Sequence, residues 1–139
     1  MNQNLIDLID RGEYSCAAMG QEIDYHCSGL GVKPIITPMR ENRRFFEQKE
    51  VADTVVGKAA ALLLVLSGAS AVYGKVMSQS AVQVFQTYNV PYQYGTLVDY
   101  IQNRTGDGMC PLEDSVRDVS DPEIAWEKIE QRIAQLMAK

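Results

Sequence analysis

The sequence predicts an α/β protein, a three-layer α/β/α sandwich around a mixed sheet. Three observations carry that expectation. Short apolar, β-branched runs alternate with helical patterns, the order of parallel strands joined by crossover helices. Two alternating runs near the start, Tyr14 to Ala18 and Ile23 to Cys27, add an antiparallel hairpin. One stretch, Val51 to Val65, is apolar on every side except at Asp53, Thr54 and Lys58. A helix of that kind is covered all round by other elements.

Taken in order, Leu5, Ile6, Leu8 and Ile9 recur at helical spacing and predict a short helix that Gly12 ends. Gly20-Gln21 predicts a two-residue hairpin turn with glycine first. In that register Cys16 faces Tyr25 and Cys27 faces Tyr14. The two cysteines are then diagonal, roughly 7–8 Å apart, too far for an unstrained disulfide. Gly29 to Pro34 turns into a helix that starts at Pro34 or Pro38 and runs to about Lys49. Arg40, Arg43 and Arg44 would form its solvated face. The central apolar helix is expected from about Asp53 to Leu66, closed by Ser67-Gly68. Ala71 to Met77 reads as a strand buried on both faces. Gln79 to Asn89 reads as a helix with Val82, Phe85 and Tyr88 inward, and Val90, Tyr92 and Tyr94 alternate as a strand. A glycine-rich loop and a short helix near Pro111 to Arg117 follow. Asp121-Pro122-Glu123 starts the last helix with a cap, a proline and a first-turn acid. Trp126, Ile129, Ile133 and Leu136 form its apolar stripe.

The chain has 139 residues, the size of one domain, and a net charge of −5. The acidic balance excludes non-specific nucleic-acid binding, which needs a basic surface. The apolar run Ala59 to Leu66 falls far below the ~20 residues of a membrane span. Met1 to Ile9 lacks the basic region and apolar core of a signal peptide. With three cysteines, an odd count, this predicts reduced thiols and a cytoplasmic protein.

Two polar islands are candidates for a site. In the first, Asp53 and Lys58 lie at the start of the expected buried helix, where free amides and the helix dipole favour an anion. Lys58 would add a point charge, and Gly57 would allow close approach. The structural alternative has Asp53 capping the helix and Lys58 snorkelling or paired. The second island, Asn103 to Pro111, combines glycines able to form a concave array of N–H donors with Arg104, suited to a carboxylate or phosphate. Its alternative is a tight turn with an Arg–Asp pair. It matches no Walker or dinucleotide motif. Cys110 precedes a helix-opening proline and is a candidate nucleophile, but with no base placed beside it the favoured reading is a buried, inert thiol. Ser78 follows the buried strand, where a parallel sheet opens its ligand crevice. The one histidine, His26, sits on the hairpin's polar face beside Cys27, whose side chain points the other way, so no zinc site is expected.

Ala52 to Val65, Val72-Tyr73, Val76 to Ser78, Asn103-Arg104, and Gly108 to Pro111 with Glu113 together resemble a small prokaryotic family, domain of unknown function 1893. The match spans roughly Leu5 to Ile133. The resemblance implies one cytidine-deaminase-like domain over 1–139, a mixed sheet between helices. Zinc deaminases carry His-x-Glu or Cys-x-Glu at one core helix start and Pro-Cys-x-x-Cys at the next. Here Ala52-Asp53-Thr54 and Met77 to Ala81 supply none of these. The resemblance therefore implies the fold and the pocket position, without metal, cofactor or deamination.

Three readings follow. One is a small-molecule-binding domain for a nucleotide-like or anionic ligand, held by Asp53, Lys58, Ser78, Asn103, Arg104 and Cys110. Another is a metal-independent enzyme using Cys110 as nucleophile or Lys58 as base. The third is an interaction module, its dense apolar strand and helix packing a homodimer.

Overall fold

A computed structural model describes residues 1–103 and 105–138. The elements in order are α1 (Gln3–Asp10), β1 (Cys16–Met19), β2 (Ile23–Cys27), α2 (Lys33–Glu41), β3 (Glu50–Val56) and α3 (Lys58–Ser67). Then come β4 (Ala71–Ser78), α4 (Gln79–Thr87), β5 (Tyr92–Val98), α5 (Pro111–Ser115) and α6 (Pro122–Met137). The five strands form one mixed sheet in the order β2-β1-β3-β4-β5. β1 is antiparallel to β2 and β3, while β3, β4 and β5 are parallel.

Adjacent residues of a strand point to opposite faces, and the core divides accordingly. Ala17, Ala52 and Tyr73 pack with Leu5, Ile6 and Ile9 of α1 on one face. Cys16, Ala18, Val51 and Val72 pack on the other with side chains of α2, α3, α4 and α6. α3 lies in the middle of that second layer, against α2, α4, α5, α6 and β3. This explains why it is apolar all round: Ala59 to Leu64 are all buried.

The apolar stretch that reads as one helix is two elements. Glu50 to Val56 is a strand, a single glycine follows, and the helix begins at Lys58. Asp53 is therefore a mid-strand residue between Cys16 of β1 and Gly74 of β4, and no helix turn links it to Lys58. Ser67 ends α3 as expected, with Gly68 as its left-handed cap at φ 86°.

Three further expectations change. The register of the hairpin shifts between Ala18 and Met19, so Cys16 pairs with Cys27 and Ala18 with Tyr25. The turn takes three residues, Gly20 to Glu22, instead of two, and the bulge adds one more on β2, so the partner of Cys16 moves by two residues, from Tyr25 to Cys27. α2 ends at Glu41 rather than near Lys49, with Pro38 inside it and turns beyond. Of the three arginines only Arg40 lies on α2, Arg43 and Arg44 falling in the turns beyond, and all three are exposed and paired. Arg40 holds Glu130 of α6 with both ends of its fork, and Arg43 reaches Glu123 and stacks over Trp126 at 4.1 Å. Arg44 donates to Glu47 and to the Leu66 carbonyl. Finally, α4 turns Ala81, Val84 and Phe85 inward, while Tyr88 is exposed.

Candidate functional site

α3 starts without a side-chain cap of its own, because its N-cap is Gly57. Glu113 of α5 supplies one from a distance of 55 positions in sequence. Its two carboxylate oxygens accept the backbone N–H groups of Lys58 and Ala59, both at 2.7 Å. A carboxylate is the chemistry a helix N-terminus attracts. Here that position is filled from within the chain. Burial pushes the Glu113 carboxyl above its ordinary range, against the pull of the two amides and the Lys58 charge. The Lys58 ammonium itself turns to the Arg117 carbonyl at 2.8 Å. Lys58 and Glu113 thus tie the start of α3 to both ends of the segment 113–117.

Asp53 has a different role. It is 3 % exposed, with Oδ1 accepting the Thr54 N–H at 2.8 Å. Among the described residues, its Oδ2 is buried without a partner. Burial raises its carboxyl to about 8, against backbone N–H groups that favour the charged form.

The loop after β5 is organised by Asn103. Its Oδ1 accepts the N–H groups of Gly106 and Asp107, and its amide donates to Asp107. Hydrogen bonds from Thr105 and Asn103 hold the Asp107 carboxyl below its ordinary range. An isolated bridge joins Gln102 to Met109, and Cys110 N–H donates to the Ile101 carbonyl at 2.9 Å. The loop leaves and returns, setting Cys110 beside Ile101.

Two adjoining concavities share Val55 and Ile101. The smaller, about 70 Å³, is bounded by Gly31, Val32, Gly57, Ala60, Cys110, Leu112 and Glu113. The larger, about 440 Å³, opens along Val55, Val76, Val98, Asp99, Tyr100 and Gln102. Small-molecule sites fall at ~300–1,000 Å³, so only the larger is of ligand size. It lies at the carboxyl ends of β3, β4 and β5, where parallel sheets place their ligand crevices.

The structure does not unite the sequence-derived candidates into one wall. Lys58 meets Glu113 through its backbone N–H, and Cys110 borders the smaller concavity together with Glu113. Ser78 is fully buried and caps α4 through the Ala81 N–H. Asn103 shapes its own loop. Asp53 sits within the sheet, and Arg104 lies outside the described residues. His26 stacks on Tyr14 with ring centroids 4.2 Å apart, on the exposed side of the hairpin. Among the described residues no three His, Cys, Asp or Glu side chains converge as metal ligands.

The family model for a domain of unknown function, DUF1893, matches residues 4–133. The chain belongs to the DUF1893 family. A crystal structure of a DUF1893 family protein from Thermotoga maritima has the same fold, with a TM-score of 0.81 and 25 % identity. The alignment covers 97 % of this chain and 92 % of that one. No curated protein matches the sequence. In this DUF1893 chain the residues that carry the family resemblance serve different ends. Val72 and Tyr73 build the sheet, Ser78 and Glu113 cap helices, and Cys110 borders a cavity.

Sequence reasoning noted Glu113 only among the residues of the resemblance and gave it no role, and it missed most residues of the larger cleft. A first-turn acid after Pro111 reads as complementing its own short helix, and nothing local says that it reaches α3. Asp99 to Gln102 carried a usable signal: they directly follow a strand that pairs in parallel.

Proposed function

We propose that this chain is a small-molecule-binding protein whose site is the cleft at the carboxyl ends of β3, β4 and β5. The cleft's size and position are the observation that carries this. Val55, Val76, Val98 and Ile101 offer an apolar wall, and Asp99, Tyr100 and Gln102 supply a carboxylate, a phenol and an amide. That combination suits a small molecule with a flat apolar body and a hydrogen-bonding edge, as a nucleoside or nucleotide has. The strand order with antiparallel β1 supports a cytidine-deaminase-like arrangement. The helices after β3 and β4 begin Gly57-Lys58-Ala59 and Ser78-Gln79-Ser80, without metal-ligating side chains. With Glu113 occupying the start of α3, binding is better supported than chemistry at Lys58.

A thermal-shift screen against nucleosides, nucleotides, ADP-ribose and sugar phosphates tests this. Saturation at a hundredfold excess over Kd adds about 2.7 kcal/mol, which is several degrees for a chain of this size. Val55→Trp, which fills the cleft from a half-exposed position, should abolish the shift and keep the ligand-free melting point. Lys58→Ala should leave the shift in place, because the Lys58 ammonium faces Arg117. A flat screen, or a shift that survives Val55→Trp, would overturn the assignment.

A further inference from the structure

We propose that Cys16 and Cys27 form a reversible intrachain disulfide, a modification site independent of the cleft. The three-residue turn and the bulge together make them direct cross-strand partners. Opposed residues of antiparallel strands have Cα atoms ~4.5–5.5 Å apart, inside the ~4.4–6.8 Å that a disulfide spans. Their side chains share one face of the sheet, and their Cβ atoms need to close by only about 1 Å. Both thiols are free, Cys16 buried and Cys27 half-buried. Cys27, on the edge strand β2, is the more exposed of the two thiols. Its sulfur accepts the Gly29 N–H at 3.3 Å, which fixes the side chain. The hairpin already holds both strands, so closing the bond requires no rearrangement of the fold.

The order of events follows from exposure. Cys27 as thiolate attacks a low-molecular-weight disulfide such as oxidised glutathione. One sulfur joins Cys27, and the other leaves as a thiolate. Cys16 then attacks the Cys27 sulfur and expels the second small thiol, which takes up the Cys16 proton. Two protein thiols are oxidised, and one small disulfide is reduced to two thiols. Burial, with Asp53 and Cys27 nearby, keeps the Cys16 thiol protonated, its pKa well above the ordinary range. Cys16 is therefore the resolving residue.

The full chain carrying Cys110→Ser is equilibrated in glutathione buffers from reducing to oxidising, quenched in acid, unfolded and alkylated. Reactive thiols should fall from two to none, with peptide mapping locating one Cys16–Cys27 bond. Cys16→Ser in that background should halt at the glutathione adduct on Cys27. Cys27→Ser should leave Cys16 free at every ratio. Two free thiols in the oxidised buffer, a stable adduct on Cys27 without ring closure, or a bond only between chains would each overturn the proposal.

Discussion

Asp53→Asn is expected to make the protein more stable than the parent at pH 9 and to remove most of the fall in stability between pH 5 and pH 9. The Asp53 carboxyl titrates near 8 in the fold and near 3.8 when exposed. Between those values the folded state binds a proton that the unfolded state has lost. The slope of unfolding free energy with pH is therefore negative. The group's contribution is fully present below about pH 4, declines from there, and is gone once pH passes the folded value. One pKa unit corresponds to about 1.4 kcal/mol, so the whole window is worth on the order of 5 kcal/mol. Asparagine has the same shape, keeps an oxygen for the Thr54 N–H and cannot ionise. Urea midpoints of both proteins at pH 5, 7 and 9 read the difference, with effects of other carboxyls cancelling between them. Parallel pH profiles would mean that Asp53 reaches water or a partner in the native state.

The sheet and helices were largely legible in the sequence, and the exceptions have specific causes. Strand β3 was hidden because Val51, Ala52, Val55 and Val56 run into the apolar face of α3 across a single residue, Gly57. The β-branched residues Val51, Thr54, Val55 and Val56 favour a strand, but the apolar count across Val51 to Val65 favours one long buried helix. That merger made Asp53 look like the beginning of a helix. The bulge between Ala18 and Met19 leaves no glycine or proline at the site, yet with the third turn residue, Glu22, it reverses the conclusion about the cysteines. The start of α6 was legible because Asp121 caps it through its own side chain. α3 is capped through space, and its partner could not be read from local pattern.

Glu113→Ala should then destabilise the protein by about 2–4 kcal/mol. A lost cap costs about 0.5–2 kcal/mol, and hydrogen bonds to a charged group about 1.5–3 kcal/mol each. Leu112 and Val116 also lose their anchor to α3. Glu113→Gln, which keeps one acceptor oxygen, should fall between. The sharper test uses Gly57. Its backbone, φ −98° and ψ −173°, is extended and open to any residue. A Cβ there would collide with the Glu113 carboxylate, whose atoms are the nearest obstacle, so that side chain is what requires glycine. Gly57→Ala in the parent should therefore cost about 1–3 kcal/mol through overpacking and displacement of the cap. In Glu113→Ala it should cost almost nothing, because the obstructing oxygens are gone. Urea denaturation of the four proteins gives the coupling as a double-mutant cycle. Additive effects would show that Glu113 and Gly57 act separately, and would remove the reason for treating the start of α3 as already occupied. A coupling close to the full single-mutant cost of Gly57→Ala would instead make the pair one unit: a glycine kept bare so that a carboxylate from α5 can dock on the α3 amides.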